Sequence, residues 1–209
     1  MPSTTSLSAF GLNCSLKPSS DEPSSTDRLM DEVFAALQRR GVACARERAA
    51  DHDVKPGVTS DEGPGDAWPA LRQRVLDADI LVLGTPIWLG QASSVCKRVL
   101  ERMDAFLSET DDGGRMPSFG RVAIPVVVGN EDGAHHACAQ MFQALIDTGF
   151  TVAAGASVYW VGEAMHKKDF KDLPETPDVV SQAIDTAVRN AVHLARYLKG
   201  NAFPPAGGQ

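Results

Sequence analysis

Near the middle of the chain stands Leu81-Val82-Leu83-Gly84-Thr85-Pro86-Ile87-Trp88-Leu89-Gly90-Gln91-Ala92-Ser93-Ser94. Its first half is apolar, uncharged, short and bounded by turn residues, as a strand buried on both faces of a parallel sheet is. The spacing predicts a strand over Ile80 to Gly84, a loop over Thr85 to Gly90, and a helix restarting near Ser93 or Ser94. A loop at the carboxyl end of a central strand lies where open α/β sheets bind ligands. Its Trp and two glycines suit close backbone approach to a flat molecule. The alternative is a tight turn with Trp88 packed into the core.

Working outward, strand and helix patterns alternate. Ser8 to Cys14 reads as a first strand, and about Ser25 to Arg40 as a helix with Leu29, Val33, Ala36 and Leu37 on one face, stopped by Gly41. Val42 to Arg48 reads as an edge strand because charges interrupt it. Trp68 to Ala78 is a short helix, and Val95, Val99, Met103 and Phe106 trace another. Val122 to Gly129 is a buried strand in which Pro125 predicts a bulge or local irregularity. A helix then runs to Gly149. Thr151 to Val161 is the last strand, and about Asp178 to Lys199 the closing helix. This order implies right-handed crossovers and a doubly wound α/β sheet. Five strands predict the flavodoxin-like order 2-1-3-4-5, helices on both faces, with the ligand-binding switch point between the first and third strands. Residues 1–200 read as one domain, with residues 201–209 a disordered tail and Met1 to Leu7 frayed.

Composition narrows the function. The 209 residues carry a formal charge of -7 without a Lys/Arg cluster, which argues against nucleic acid or an anionic membrane as partner. No apolar run approaches the ~20 residues of a membrane span. No secretory signal is visible, so a cytoplasmic location is expected. Cys14, Cys44, Cys96 and Cys138 are scattered, which gives no support to a zinc or iron–sulfur site. Neither Asp51-His52-Asp53 nor His135-His136 has the spacing of a metal site, so no metal is expected. The Asp/Gly/Pro segment from Asp51 to Asp66 reads as a surface excursion of open role.

Chemistry gathers in three loops. After the first strand, Ser15, Lys17, Ser24, Ser25 and Thr26 precede a helix N-terminus, a combination suited to a phosphate. A helix cap needs one hydroxyl, and here several cluster with a lysine. The patterns of a Walker loop and of a G-x-G-x-x-G dinucleotide fingerprint are missing. A receiver's clustered aspartates are missing too. A tyrosine-phosphatase loop beginning at Cys14 would lack its arginine, since Ser20 stands there. The second loop is Thr85 to Gly90. The third, Gly129-Asn130-Glu131-Asp132-Gly133-Ala134-His135-His136, follows the fourth strand on the same sheet edge. Without a nucleophile elbow or carboxylate pair, the loops read as a ligand cradle with no catalytic side chain.

These loops together resemble the flavodoxin-like NAD(P)H-dependent FMN reductase family, from about Ser8 to Lys199. The resemblance is carried by Ser15-x-Lys17 with Ser24-Ser25-Thr26, by Thr85-Pro86-Ile87-Trp88-Leu89-Gly90-Gln91-x-Ser93-Ser94-x-x-Lys97 running on to Glu101-Arg102-Met103-Asp104, and by Gly129-Asn130-x-x-Gly133. It implies FMN, with phosphate on Ser15, Lys17, Ser24, Ser25 and Thr26. It implies a ring against Pro86, Ile87, Trp88, Leu89 and Gly90, with Asn130, Gly133 and His135 at the ring edge. NADH or NADPH would donate electrons, and a quinone or free flavin would accept them. Relatives commonly form homodimers or homotetramers, for which Tyr159 and Trp160 are candidate contacts. Lys17 stands where relatives often have Arg, which weakens bidentate phosphate contact. The competing readings are a flavodoxin-type electron carrier without NAD(P)H turnover and a fold relative that binds no flavin.

Overall fold

The computed structural model describes residues 6–163, 166–201 and 203–205. Strands β1 (Leu7–Asn13), β2 (Val42–Arg48), β3 (Ile80–Trp88) and β5 (Val122–Gly129) lie side by side and parallel in the order β2-β1-β3-β5. The next position is filled twice along the free edge of β5, by β6 (Thr151–Val152) and β7 (Val158–Val161). This is a flavodoxin-like α/β fold. Helices α1 (Ser25–Gln38) and α5 (Asp178–Gly200) cover one face. Helices α2 (Trp68–Asp77), α3 (Ser94–Met103) and α4 (Ala134–Asp147) cover the other.

Alternation along the central strands builds the two cores. Ile80 and Val82 of β3, with Ile124 and Val126 of β5, face α1 and α5, while Leu81, Leu83, Ala123 and Val127 face the other three helices. A strand covered on both sides has no polar face, which is why its sequence reads as a continuous apolar run. Gly11 and Gly84 are demanded by packing. A Cβ on Gly84 would come within 2.3 Å of Met30 Sδ, and one on Gly11 within 2.3 Å of the Phe34 ring. Helix α1 therefore presses closely on the two strands that begin the ligand loops.

Three expectations change. The segment expected as a loop over Thr85 to Gly90 is mostly strand, because β3 stays paired with β5 as far as Pro86↔Val128. It then turns at Leu89–Gly90 into the short antiparallel strand β4 (Gln91–Ala92). The last strand is broken, since residues 153–157 leave the sheet between β6 and β7. At Pro125 the irregularity is one-sided and is no bulge: the register with β3 runs unbroken through Leu83↔Pro125. On its other side β5 pairs at Val122–Ala123 and again from Val126, so Pro125 falls where that ladder is already interrupted. A residue without an N–H is tolerated there.

The Asp51 to Asp66 excursion is stitched down from α3. Arg102 is wholly buried; it donates to the carbonyls of Lys55 (2.9 Å) and Thr59 (2.9 and 3.0 Å) and to the Asp66 carboxylate (2.7 Å). Trp68, fully buried at the start of α2, lies under the same guanidinium, 5.9 Å from it to the ring centroid. The expected frayed start includes residues 1–5, and the expected tail residues 202 and 206–209, which lie outside the described residues. In the described part of that tail, Phe203 packs on Phe119 with ring centroids 5.3 Å apart.

Candidate active site

The carboxyl ends of β1, β3 and β5 converge on a cavity of about 610 Å³. That volume falls within the range of small-molecule and cofactor sites. One end is the loop after β1, where Ser15, Lys17, Ser24, Ser25 and Thr26 all contribute to the wall. The other end is formed by Pro86, Ile87 and Trp88 of β3, Gly129 and Asn130 at the end of β5, Glu131 beyond it, and Trp160 of β7. Trp88 is 54% exposed, which rules out the alternative in which it packs into the core.

Each loop is held by side chains of the layer beneath it. Asn13 is buried; its Oδ1 accepts from the Ser15 amide (2.8 Å) and hydroxyl (2.7 Å), and its Nδ2 donates to Asp27 (2.7 Å). Ser24 is the cap of α1, its Oγ accepting from the Asp27 amide at 3.3 Å. Ser19 is fixed from outside, its amide and hydroxyl donating to Asp51 at 2.6 and 2.5 Å. Burial of Asp51 opposes ionisation, but the Ser19 contacts and the charges of Arg48 and His52 outweigh it, so its carboxyl lies below the usual range. Ser93 caps α3 by accepting from the Cys96 amide at 3.0 Å.

Five residues expected in the site do not reach the cavity wall. Thr85 is buried, and its Oγ1 accepts from the Ser93 amide at 3.0 Å, so it braces the turn. Leu89 is 90% exposed at the hairpin tip with φ +52°. Gly90 and Gly133 pack backbone against backbone, and a Cβ on Gly133 would lie 2.6 Å from Gly90. Their glycines let the second and third loops touch each other. His135 turns to Tyr159, its Nε2 2.9 Å from the phenol oxygen, and His136 Nε2 lies 3.1 Å from Gln91 Oε1.

Sequence reading missed a wall contributed from beyond β7. A 3-10 turn, Phe170–Asp172, crosses from α1 to the end of β5. Arg28 donates to the carbonyls of Phe170 (2.8 Å), Lys171 (3.1 Å) and Leu173 (2.7 Å), and its guanidinium stands 5.0 Å from the Phe170 ring centroid. On the other side Asn130 donates to Asp169 at 2.9 Å, and Trp160 packs against Phe170 at 5.5 Å. The turn brings Asp169, Phe170 and Lys171 to the cavity. Arg48, at the end of β2, was also missed. Only the amphipathic cluster Phe170-Lys171-Asp172-Leu173 signalled the turn, and nothing local signals the arginine.

Among the described residues the cavity wall holds no cysteine, and the nearby Cys14 is not activated. Burial pushes the Cys14 thiol well up, and neighbouring Cys96 pushes it further, so it stays protonated at neutral pH. The arrangement suits a molecule with an anionic end and a flat aromatic body. The N-terminus of α1, Lys17 and a buried Arg48 Nε that has no partner among the described residues would suit the anion, and the β3 hairpin and Trp160 would suit the body. FMN has that form, and the residues present fit it.

The model of one protein family, NADPH-dependent FMN reductase, matches residues 8–165. The chain belongs to that family. Among curated proteins it is 37% identical to a divalent metal cation transporter, MntH, of Mycobacterium bovis, over 96% of this chain and 30% of that protein. The chain thus spans about a third of that relative's length. It is 29% identical to 8-demethyl-8-aminoriboflavin-5'-phosphate synthase of Streptomyces davaonensis, over 94% of this chain and 80% of that enzyme. Among solved structures it is similar to RosB with the bound intermediate 8-demethyl-8-formylriboflavin-5'-phosphate: TM-score 0.85, 29% identity, 95% of this chain and 82% of that one. The family match ends before the Phe170–Asp172 turn, whereas the RosB likeness extends over nearly the whole chain.

Proposed function

We propose that the chain passes electrons from NADH or NADPH through bound FMN to a small acceptor such as a quinone or free flavin. The observation that carries this reading is the cavity itself: hydroxyls, Lys17 and Arg48 at one end, Pro86, Ile87, Trp88 and Trp160 at the other, and no cysteine among the described residues of its wall. Bound FMN supplies the hydride chemistry, and the protein positions it. The loop from Ser15 to Thr26 holds the phosphate. The strand end Pro86-Ile87-Trp88 carries one face of the ring, and the Gly129-Asn130 end its edge. The Phe170 turn closes the wall opposite β3 and limits the space for a second molecule. The exposed Trp88 at the rim gives the proposed homodimer or homotetramer an apolar contact.

A second reading is favoured by the similarity to the aminoriboflavin-phosphate synthase and to RosB. The one is named for making a riboflavin 5'-phosphate altered at position 8, and the other holds such a molecule as a bound intermediate; on this reading a flavin phosphate is the substrate here too. Both readings place a riboflavin 5'-phosphate in the same cavity. They separate by the mass of the flavin recovered after turnover. Purified protein incubated aerobically with FMN, an amino donor such as an amino acid or ammonium, and NADPH or NADH, with and without a quinone, returns FMN of unchanged mass on the first reading while nucleotide is consumed. A flavin of altered mass establishes the second.

A further inference from the structure

The loop after β1 contributes one cation of its own, and it is poorly placed. The Lys17 side chain is 84% exposed and faces Glu22 at 4.0 Å. A second cation enters from underneath. Arg48 comes from the end of β2, is 8% exposed and lines the same cavity as Ser15, Ser24, Ser25 and Thr26. Its Nη1 donates to the carbonyls of Lys17 (3.2 Å) and Pro18 (2.8 Å), and its Nη2 pairs with Asp27. Asp27 is itself held by Asn13, so the plane of the guanidinium is fixed before any ligand arrives. One donor is unspent: Arg48 Nε is buried and has no partner.

An unmet donor of a buried charged group is costly, and an anion is the partner that best satisfies it. Among the described residues two other buried side-chain donors lack partners, Trp68 Nε1 and Arg72 Nε, but neither residue lines this cavity. Arg48 thus stands apart in combining burial, a spare donor and a place in the wall at the N-terminus of α1.

We propose that Arg48 binds the 5'-phosphate of the flavin and is the residue by which the cavity distinguishes the phosphorylated flavin from riboflavin. This rests on the reading of the cavity as a flavin-phosphate site. Lys17 then contributes a screened, exposed charge, and Arg48 the desolvated hydrogen bond.

The test is a pair of dissociation constants, for FMN and for riboflavin, measured by quenching of flavin fluorescence on the flavin-free full-length protein. The wild type is expected to prefer FMN. Arg48→Met is expected to weaken FMN roughly 10- to 100-fold, the loss of one charge-assisted contact, while riboflavin changes little. Arg48→Lys keeps a cation beside Asp27 but has no Nε. It decides the question if the methionine variant does not fold, and is expected to lose part of the preference. Lys17→Met is expected to lose less than either. An unchanged FMN-to-riboflavin ratio in both Arg48 variants overturns the proposal, and so does an equal loss for both flavins, which would make Arg48 a brace only. A wild type that binds neither flavin, or both alike, overturns the reading of the cavity as well.

Discussion

The Ser93 hydroxyl donates to the carbonyl of Cys14 at 2.6 Å while it accepts from the Cys96 amide at 3.0 Å. One buried oxygen thereby caps α3 and ties the end of the β3 hairpin to the start of the loop after β1. The two halves of the cavity are joined beneath its floor by that contact.

Ser93→Ala should therefore act twice. Loss of the cap and of a buried hydrogen bond is expected to cost about 1–3 kcal/mol in denaturant unfolding. Flavin affinity should fall with it, because both loops lose a shared anchor. Ser94→Ala, one residue on and outside the cap, is the comparison and should change both little.

The Arg102–Asp66 pair is buried on both sides. Burial alone would raise the pKa of Asp66. The hydrogen bonds from Arg102 and from the amides of Glu62, Trp68 and Lys55 overcome it and hold the carboxyl well below the usual range. A depressed carboxyl contributes stability that is complete above the ordinary carboxylate pKa of about 4 and is lost as pH falls below it. Acid titration of stability should show that loss, and Asp66→Asn should flatten it. Arg102→Met leaves a buried charge unpaired and is expected to cost about 3–5 kcal/mol.

Leu89 and Gly90 both sit at positive φ, +52° and +73°, as the centre of a two-residue hairpin turn. Asn-Gly favours that geometry, and a leucine there is strained by roughly 1 kcal/mol. Leu89→Asn should raise the thermal midpoint. Since the side chain is 90% exposed, no core contact is lost in exchange.

Arg28 is the clamp of the Phe170 turn, with three carbonyls on one guanidinium. Arg28→Met should speed amide exchange in the described residues of the 166–173 segment and weaken flavin binding several-fold. Exchange in β1 and β3 should be unaffected.

Much of this was legible from the residues. The apolar runs of β3 and β5 and the alternation with helices give the parallel sheet and the switch point, because burial on both faces leaves a direct mark on composition. The loop after β1 and the Pro86-Ile87-Trp88 end could be placed by following those strands to their carboxyl ends. Trp88 and Leu89, however, belong to a hairpin whose turn carries Leu where Asn is usual, so its turn signal was hidden. The strand break at residues 153–157 was hidden as well, since Gly155 is the one glycine within it. Arg48 could not be read at all, and the Phe170 turn left only the faint mark of its amphipathic cluster. Each reaches the cavity through long-range packing, from an edge strand in one case and across α1 in the other.

The most direct test is anaerobic titration of the FMN-loaded protein with NADPH and NADH, followed in the visible spectrum. The account predicts that the flavin absorbance bleaches stoichiometrically with at least one nucleotide and returns when a quinone or free flavin is added. A protein that takes up FMN and stays oxidised with both would contradict it.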